Sequence, residues 1–423
     1  MSEKAISNTD KNSRHIAVIG AGSIGINCAL SLQRDGHRVV MIDPLEPGEG
    51  CSSGNAGLLA RSSFIPLSSP GLLFDVPGWL LDPMGPLAIR WSYLPKLAPW
   101  LIRYILAGKK ANLQPTADAL QHLTDACVDL YAGLAEEAGE PELIKRSSYI
   151  YVYESKKSFD KDAGGFDLRR KMNIEVQELG QAEIQAAEPA LSPAYQHAYL
   201  VPDHGFTLDP LALMRTLAKL FERRGGEVRQ TSVQDIVMRS DGCTTLILED
   251  DDLEVDQVVL AAGAYSGKLA AKLGSPVPLD TERGYHITIP RPGAMPSMPV
   301  MSGDAKFLAT PMSVGLRLAG TVEFAGLDAA PNYKRARNLI KHGQRMFPGL
   351  QTDEFSEWMG RRPTLPDSLP VVGRSPKHDN IFFAFGHQHI GLTAGPETGR
   401  IIADLVADRR SNIDLTPYRA DRF

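Results

Sequence analysis

The sequence predicts an α/β protein in which a Rossmann-like parallel-sheet unit is interleaved with a second unit built on an antiparallel sheet. Three observations predict it. A strand, a glycine-rich turn and a helix open the chain from His15 to Gly36. An apolar strand running into another glycine turn recurs at Gln257 to Gly263, and later segments alternate apolar and polar residues as antiparallel strands do. With 423 residues, 43% hydrophobic and 22% charged, the chain can bury a large core in two or three domains and is too apolar for overall disorder.

The elements follow in order. "MSEKAISNTDKNSR" is polar and lacks the apolar core of a secretory signal or a membrane span, so residues 1–14 read as a flexible tail. His15 to Ile19 is a short apolar strand. Gly20, Gly22 and Gly25 then form G-x-G-x-x-G, Ile26 to Gln33 continues at helical spacing until Gly36, and Val39 to Ile42 is the next strand, with Asp43 at its end. A dinucleotide requires that pattern: Gly20 for the tight turn, Gly22 for close approach to a pyrophosphate, Gly25 for helix-to-strand packing. The pyrophosphate would lie on the helix N-terminus, at Ser23 and Ile24, where free N–H groups and the dipole favour negative charge. Asp43 would accept from an adenosine ribose, and an acid there argues against a 2'-phosphate.

A simple NAD unit would continue with a second helix. Instead comes "CSSGNAG", Cys51 to Gly57, whose small residues let backbone approach a flat ring while Ser52, Ser53 and Asn55 hydrogen-bond to it or to phosphate. An ordinary polar loop is the alternative. From about Ile65 to Gly180 the pattern is mostly helical, with "YIYVY", Tyr149 to Tyr153, as a strand. Within it the apolar stretch Gly78 to Gly108 is broken by Asp82, Arg90, Lys96, Arg103 and four prolines, which excludes a spanning helix. Its tryptophans Trp79, Trp91 and Trp100 with flanking cations suit a membrane surface as well as core packing, so peripheral membrane contact is a further expectation.

"TLDPLALMRTLAKLFERRGGEVRQ" begins with Asp209 as N-cap and Pro210 at the first helical position, ends at Gly225 and Gly226, and leads into a strand. "VQDIVM" and "CTTLILED" read as antiparallel strands, and Gln257 to Leu260 returns the chain to the nucleotide turn at Ala262 and Gly263. "TERGYHITIP", "KFLATPM" and "GLRLAGTVEFAG" build the second unit's sheet. The expected division is 15–64, 205–280 and 350–423 for the cofactor unit, and 65–204 with 281–349 for the substrate unit, with the substrate between them.

A net charge of -5 and a pI near 6.1 offer no field for nucleic acid. Cys28, Cys51, Cys127 and Cys243 are scattered and form no C-x-x-C, which points to a reducing, cytoplasmic compartment and away from disulfides or a zinc knuckle. His387 and His389 share a face if their segment is extended, but no third ligand pattern accompanies them, so no metal is expected.

At "WMGRRPTLPDSLPVVGRSP", Trp358 to Pro376, and "FGHQHIGLTAGPETGR", Phe385 to Arg400, the chain resembles the D-amino-acid oxidase and glycine oxidase superfamily of FAD enzymes. It is most similar to the bacterial D-amino-acid dehydrogenase branch. The resemblance runs from about residue 15 to the end and includes the S-x-x-N-A-G loop, "ERGYHI" and "GTVEFAG". It implies noncovalent FAD, a D-amino acid as substrate and an electron acceptor such as a quinone, at the inner face of the cell membrane where contact occurs. Gly20, Gly22, Ser23, Ile24, Gly25 and Asp43 would bind the ADP half, and Ser52, Ser53, Asn55, Ala56 and Gly57 would approach the phosphates and flavin. Val233 would meet the adenine through its backbone, Ala262 and Gly263 would pack near the cofactor, and Gly386, His387, Ile390, Gly391, Leu392 and Thr393 would line the isoalloxazine edge.

The resemblance assigns Arg362 to the substrate carboxylate, since a bidentate guanidinium holds the α-hydrogen in place better than a lysine does. Arg361 is the alternative for that role, and Arg317 a second carboxylate or surface arginine. Tyr285 and His286 are expected on the substrate wall, His387 beside the flavin and His389 toward the substrate. "GHQHIGLT" and "GRRPTLPDSLP" look closer to a subgroup acting on cyclic or N-substituted D-amino acids such as D-hydroxyproline or D-proline. An oxygen-dependent oxidase of a secondary amine of the glycine or sarcosine type, and the FAD subunit of a heteromeric amine dehydrogenase, are the alternative activities.

Overall fold

A computed structural model describes residues 13–68, 72–82, 85–239 and 242–423; most of the expected tail, 1–14, lies outside the described residues. His15–Ile19 sits inside a six-stranded sheet ordered Val371–Arg374, Ile381–Phe385, Gln257–Leu260, His15–Ile19, Arg38–Ile42, Glu227–Arg229. Neighbours run parallel except the first two, which form a hairpin. The apolar runs are continuous because both faces are covered. Ile16 and Val18 pack with the helices Ser23–Arg34 and Gly391–Val406, while Ala17 and Ile19 pack with Leu246 and Leu248 of a three-stranded sheet.

The two helices approach closely because one presents glycines. A Cβ on Gly399 would lie 2.4 Å from the Asn27 backbone oxygen, and one on Gly395 would lie 2.9 Å from Asn27 Nδ2. The helix Pro210–Arg223 starts as its sequence dictates: Asp209 Oδ1 accepts from the N–H groups of Leu211 at 2.9 Å and Ala212 at 3.2 Å. Gly225, at φ +85, ends it and turns the chain into Glu227–Arg229.

The second sheet has ten strands. Its main path runs Ser356–Thr364, Asp280–Ile289, Gly315–Phe324, Phe307–Met312, Val300–Ser302, Ile144–Tyr153, His197–Thr207, Leu58–Leu59. It is mainly antiparallel, with parallel pairing of Val300–Ser302 to Ile144–Tyr153 and of Leu87–Ile89 to Gly315–Phe324. Strand alternation sorts Asp280–Ile289 into two faces. Tyr285, Ile287 and Ile289 pack toward the helix Lys334–Met346 through Ala336, Leu339 and Met346, and the even-numbered residues face the other way.

Two strands are longer or elsewhere than their sequence suggests. His197–Thr207 continues through Pro202, Asp203 and Gly205, residue types that favour turns; Asp203 takes φ +58 and the pairing with Ile144–Tyr153 slips between Ser147 and Tyr149 to absorb it. Ser356–Thr364, on the cofactor side of the expected division, forms the edge of the ten-stranded sheet beside Asp280–Ile289, and Leu58–Leu59 joins the same sheet.

Candidate cofactor and substrate site

The turn after His15–Ile19 is closed by backbone contact. Gly20 has φ +110, and a Cβ there would lie 2.4 Å from the Ala261 oxygen; a Cβ on Gly25 would lie 1.8 Å from the Gly20 oxygen. Ala261 and Ala262, following Gln257–Leu260, therefore seat directly on the turn, and Gly263 follows them at φ +55. Asp43 accepts from Ala21 N–H at 2.8 Å and from Leu45 N–H at 2.9 Å, and burial raises its pKa. Gly22 is the N-cap of Ser23–Arg34 and supplies no side chain to it. Val233 opens a strand of the three-stranded sheet, paired with Leu248.

A second helix begins at the same place. Ser23 Oγ donates to the Gly391 oxygen at 3.0 Å, and Tyr131 Oη donates to the Leu392 oxygen at 2.8 Å. Ile390 is the N-cap of Gly391–Val406 and makes no side-chain capping bond. Two helix N-termini are thus joined side by side, and their first-turn donors favour an anion or a polar ring edge. Thr393, in the first turn, donates from Oγ1 to the Leu58 oxygen at 3.3 Å.

The Cys51–Gly57 segment is turn rather than helix and ties these termini to the second sheet. Ser23 N–H donates to Ser52 Oγ at 2.9 Å, Ser53 Oγ donates to the Gly50 oxygen at 3.0 Å, and Gly57 N–H donates to Asn55 Oδ1 at 2.9 Å. Arg317 Nη1 donates to the Ser53 and Asn55 oxygens at 3.0 and 2.7 Å. Burial pushes the Arg317 pKa down to about 10. Arg317 therefore anchors the loop and is neither a surface arginine nor a free receptor for a carboxylate.

His286, expected on the substrate wall, is a second anchor. Its Nδ1–H donates to the Gly54 oxygen at 3.0 Å, its ring stacks on Trp358 with centroids 4.9 Å apart at 11°, and burial brings its pKa down to about 3. Trp358 needs room on both sides: Cβ atoms on Gly54 and Gly360 would come within 2.3 and 1.9 Å of its indole. Tyr285 lies on the opposite face, because neighbours in a strand alternate. Its hydroxyl donates to Glu323 at 2.5 Å and accepts from Asn332 N–H at 3.0 Å, so it belongs to the core and not to the substrate wall.

Between the ten-stranded sheet and the start of Gly391–Val406 opens a cavity of about 870 Å³. The loop contributes Gly54, Asn55 and Ala56, the turn before Gly391–Val406 contributes Gln388, His389 and Ile390, and the second sheet contributes Glu282, Trp358 and Arg362. Trp79, Trp100 and Tyr104 close the far side. Arg362 lies flat across Gly284, where a Cβ would meet its Cζ at 2.4 Å. Among the described residues no hydrogen bond or ion pair engages its guanidinium, so its donors face the cavity. Arg361, one position earlier, donates from Nε to the Leu327 oxygen at 2.7 Å and is no part of the cavity wall.

The two histidines separate. Gln388, with φ +51, turns the chain between them, so the segment is not extended and the rings do not share a face. His387, expected beside the flavin, is buried away from the cavity with Nε2 3.1 Å from Thr398 Oγ1, and burial lowers its pKa to about 3. The His389 ring is open, but to the cavity; enclosure by protein, then the nearby Arg362 charge, lower its pKa to about 4, so it is neutral at pH 7. Among the described residues no three His, Cys, Asp or Glu side chains gather as a metal site would require.

Glu282, Gly284, Trp358 and Gln388 escaped the sequence reading as site residues. A signal existed for Gly284, since an isolated glycine inside a strand marks close approach by another group. For Gln388 there was none, because a left-handed glutamine has no sequence signature.

The chain is similar to known proteins over nearly its whole length. The family model described as FAD dependent oxidoreductase, DAO, matches residues 15–405. A protein named D-amino-acid oxidase from Bradyrhizobium diazoefficiens is 42% identical over 97% of this chain and 99% of its own length. One named D-amino acid dehydrogenase from Paramagnetospirillum magneticum is 29% identical over 96% and 98%. Among solved structures, glycine oxidase from Geobacillus kaustophilus superposes with a TM-score of 0.73 at 22% identity, covering 98% of this chain and 100% of that one. L-proline dehydrogenase from P. horikoshii gives 0.75 at 17% identity, covering 97% and 98%.

Proposed function

The chain belongs to the DAO family of FAD-dependent oxidoreductases, and from that premise we propose that it oxidatively deaminates a D-amino acid whose carboxylate is held by Arg362. The observation that carries the proposal is the unengaged Arg362 guanidinium open to an otherwise largely apolar cavity. A planar cation without a protein partner is a receptor for a planar anion. The names of the relatives at 42% and 29% identity support a D-amino acid as the substrate.

The residues fit the cofactor. Gly20 and Gly25 leave no space for side chains at the turn, two helix N-termini whose N-cap residues supply no side-chain bond meet there, and a loop of small residues opens from it onto the cavity. In this reading Gly20 to Gly25 and Asp43 hold the ADP half, and Ser52 to Gly57 with Ile390 to Thr393 hold the flavin, noncovalently. Bound FAD supplies the acceptor for the hydride that leaves the α-carbon. The protein's part is to fix the carboxylate, to seat the substrate body against Trp100 and Tyr104, and to keep His389 uncharged beside Arg362. In the proposed division the six-stranded sheet carries the cofactor and the ten-stranded sheet the substrate.

The test is an anaerobic screen of the holoprotein across D-amino acids, L-amino acids, D-proline, D-hydroxyproline and N-methyl amino acids. The flavin absorption is expected to bleach with D-amino acids and not with their L-forms, with the cyclic substrates fastest. Bleaching by glycine or sarcosine alone would move the assignment to a secondary-amine oxidase, and bleaching only after a partner chain is added would move it to a heteromeric enzyme.

The acceptor reading rests on the surface beside the cavity mouth. Among the described residues no helix is long and apolar enough to cross a membrane. Yet Leu81, Trp91, Ile102, Ile105 and Leu106 are exposed on segments whose neighbouring residues line the cavity. Residues 83–117 also carry five cations, Arg90, Lys96, Arg103, Lys109 and Lys110, and no acid. Exposed apolar groups and cations on one stretch of chain suit an anionic bilayer, which supports a membrane quinone as acceptor. The holoprotein is expected to float with vesicles containing phosphatidylglycerol and to be released when Trp91 and Ile102 are replaced by Ser. The 42% identical relative's name favours oxygen instead; stoichiometric peroxide in turnover with no flotation would decide for that acceptor.

A further inference from the structure

The cavity carries a second charged group that the assignment to Arg362 does not use. Glu282 is the cross-strand partner of Arg362, on Asp280–Ile289 and Ser356–Thr364 respectively. Directly opposed residues on one face hold their Cβ atoms about 5 Å apart, so both heads reach the same part of the cavity. Glu282 is buried, and it is the one carboxylate among the described residues that line the cavity. Thr364 Oγ1 donates to its Oε1 at 3.2 Å; among the described residues no other hydrogen bond reaches it.

A carboxylate in that position works against an anion receptor. It competes for Arg362 and repels the carboxylate of an incoming ligand. The arrangement becomes complementary when the ligand carries a cation next to its anion. An α-amino acid carries its ammonium and carboxylate on one carbon, and the Glu282–Arg362 pair presents the opposite charges on adjacent strands.

We propose that Glu282 receives the substrate ammonium, makes the cavity selective for zwitterions over simple carboxylates, and takes the proton that the ammonium must lose before its carbon is oxidised. This rests on the reading that Arg362 holds the substrate carboxylate. In the proton step an N–H bond of the ammonium breaks and an O–H bond forms on Glu282; the amine keeps the electron pair and nothing is oxidised or reduced. The neutral amine is then left with the lone pair that loss of the α-hydrogen as hydride requires.

The surroundings of Glu282 suit an acceptor of that proton. Burial raises its affinity for a proton, Arg362 opposes this, and Asp280 on its own strand adds to the rise. Tyr104, from the helix Leu94–Ala107, has its own pKa raised by burial and by Glu282 and stays protonated. Across the cavity, His389 and Cys51 lie within the influence of Arg362. His389, held neutral, is the competing proton acceptor.

Two matched probes test the selectivity without turnover: α-aminoisobutyrate, which has no α-hydrogen to lose, and isobutyrate, which lacks the amine. Binding to the holoprotein is measured by calorimetry. Glu282→Gln is expected to weaken α-aminoisobutyrate by about tenfold or more and to tighten isobutyrate, because an amide no longer competes for Arg362. Equal changes for both probes would overturn the proposal. Arg362→Lys should weaken both; if it weakens neither, the carboxylate reading fails and not the role of Glu282.

The proton step has its own readout. Wild-type flavin bleaching by a D-amino acid should be level across neutral pH, whereas Glu282→Gln should be slow there and recover as pH approaches the free amine's pKa. Glu282→Asp, which keeps the carboxylate, should restore most of the level profile. A profile unchanged in Glu282→Gln but lost in His389→Asn would assign the proton to His389 and sink the proposal.

Discussion

Arg362→Lys is expected to lower the second-order rate of anaerobic flavin bleaching by D-amino acids by about 10²- to 10³-fold, with the flavin still bound. The magnitude follows from replacing a charge-assisted bidentate pair by a single donor in an enclosed site, a loss of roughly 3–4 kcal/mol. The side chain is well suited to the exchange because, among the described residues, its guanidinium makes no hydrogen bond, and a lysine keeps the positive charge that faces buried Glu282. Gly284→Ala is the independent check. It leaves the charge in place but puts a Cβ 2.4 Å from the guanidinium carbon, so the receptor must tilt off the sheet and affinity for a carboxylate should fall about tenfold or more. If both variants bleach at the wild-type rate, Arg362 does not touch the substrate. If both lose flavin as well, the effect is on the fold.

How much of this could be read in the chain depended on whether local sequence or long-range packing decides the position. The phosphate turn was legible because its glycines answer demands of the turn itself: Gly25 rests on the Gly20 oxygen, although the Ala261 backbone that excludes a side chain at Gly20 lies far along the chain. The helix Pro210–Arg223 was legible for the same reason, with Asp209 and Gly225 as its signals. The substrate side was less so. Which face Tyr285 and His286 present depends on register against Ser356–Thr364 and against Gly315–Phe324, the second of which carries a bulge between Gly284 and Tyr285. One residue of shift exchanges the two faces, so the core tyrosine and the loop-anchoring histidine could both be read as substrate wall.

The quoted histidines show the same limit. An extended backbone would have put His387 and His389 on one face, but the left-handed Gln388 sends one ring into the helix packing and the other into the cavity. A non-glycine residue in that conformation costs about 1 kcal/mol or more. The surrounding contacts hold it there, among them Gln388 N–H donating to the Pro363 oxygen at 2.8 Å. That hydrogen bond also links the turn to the residue after Arg362, so the histidine that faces the cavity and the arginine beside it are positioned by one backbone contact.

Gly25→Ala is expected to remove both stability and flavin, whereas Gly22→Ala removes flavin alone. The added methyl on Gly25 would stand 1.8 Å from the Gly20 oxygen, and backbone at a turn already pinned between two strands has nowhere to go. Relief requires the helix Ser23–Arg34 to lift from the sheet, which also strains its close packing on Gly391–Val406. Overpacking of a core typically costs about 1–3 kcal/mol, and with backbone as the obstacle the upper end applies, a fall in Tm of roughly 3 °C for a chain of this length. On Gly22 the methyl would lie 3.3 Å from Ser52 Oγ, a side-chain atom that can give slightly while keeping its bond from Ser23 N–H, so the apoprotein should keep its Tm. That methyl would nevertheless stand where the pyrophosphate must approach the backbone, and the yellow colour should be lost. Thermal unfolding of the apoproteins, with the flavin absorption of each as purified, separates the two cases. A Gly25→Ala variant that unfolds at the wild-type temperature would mean that the helix does not rest on the turn as the structure has it.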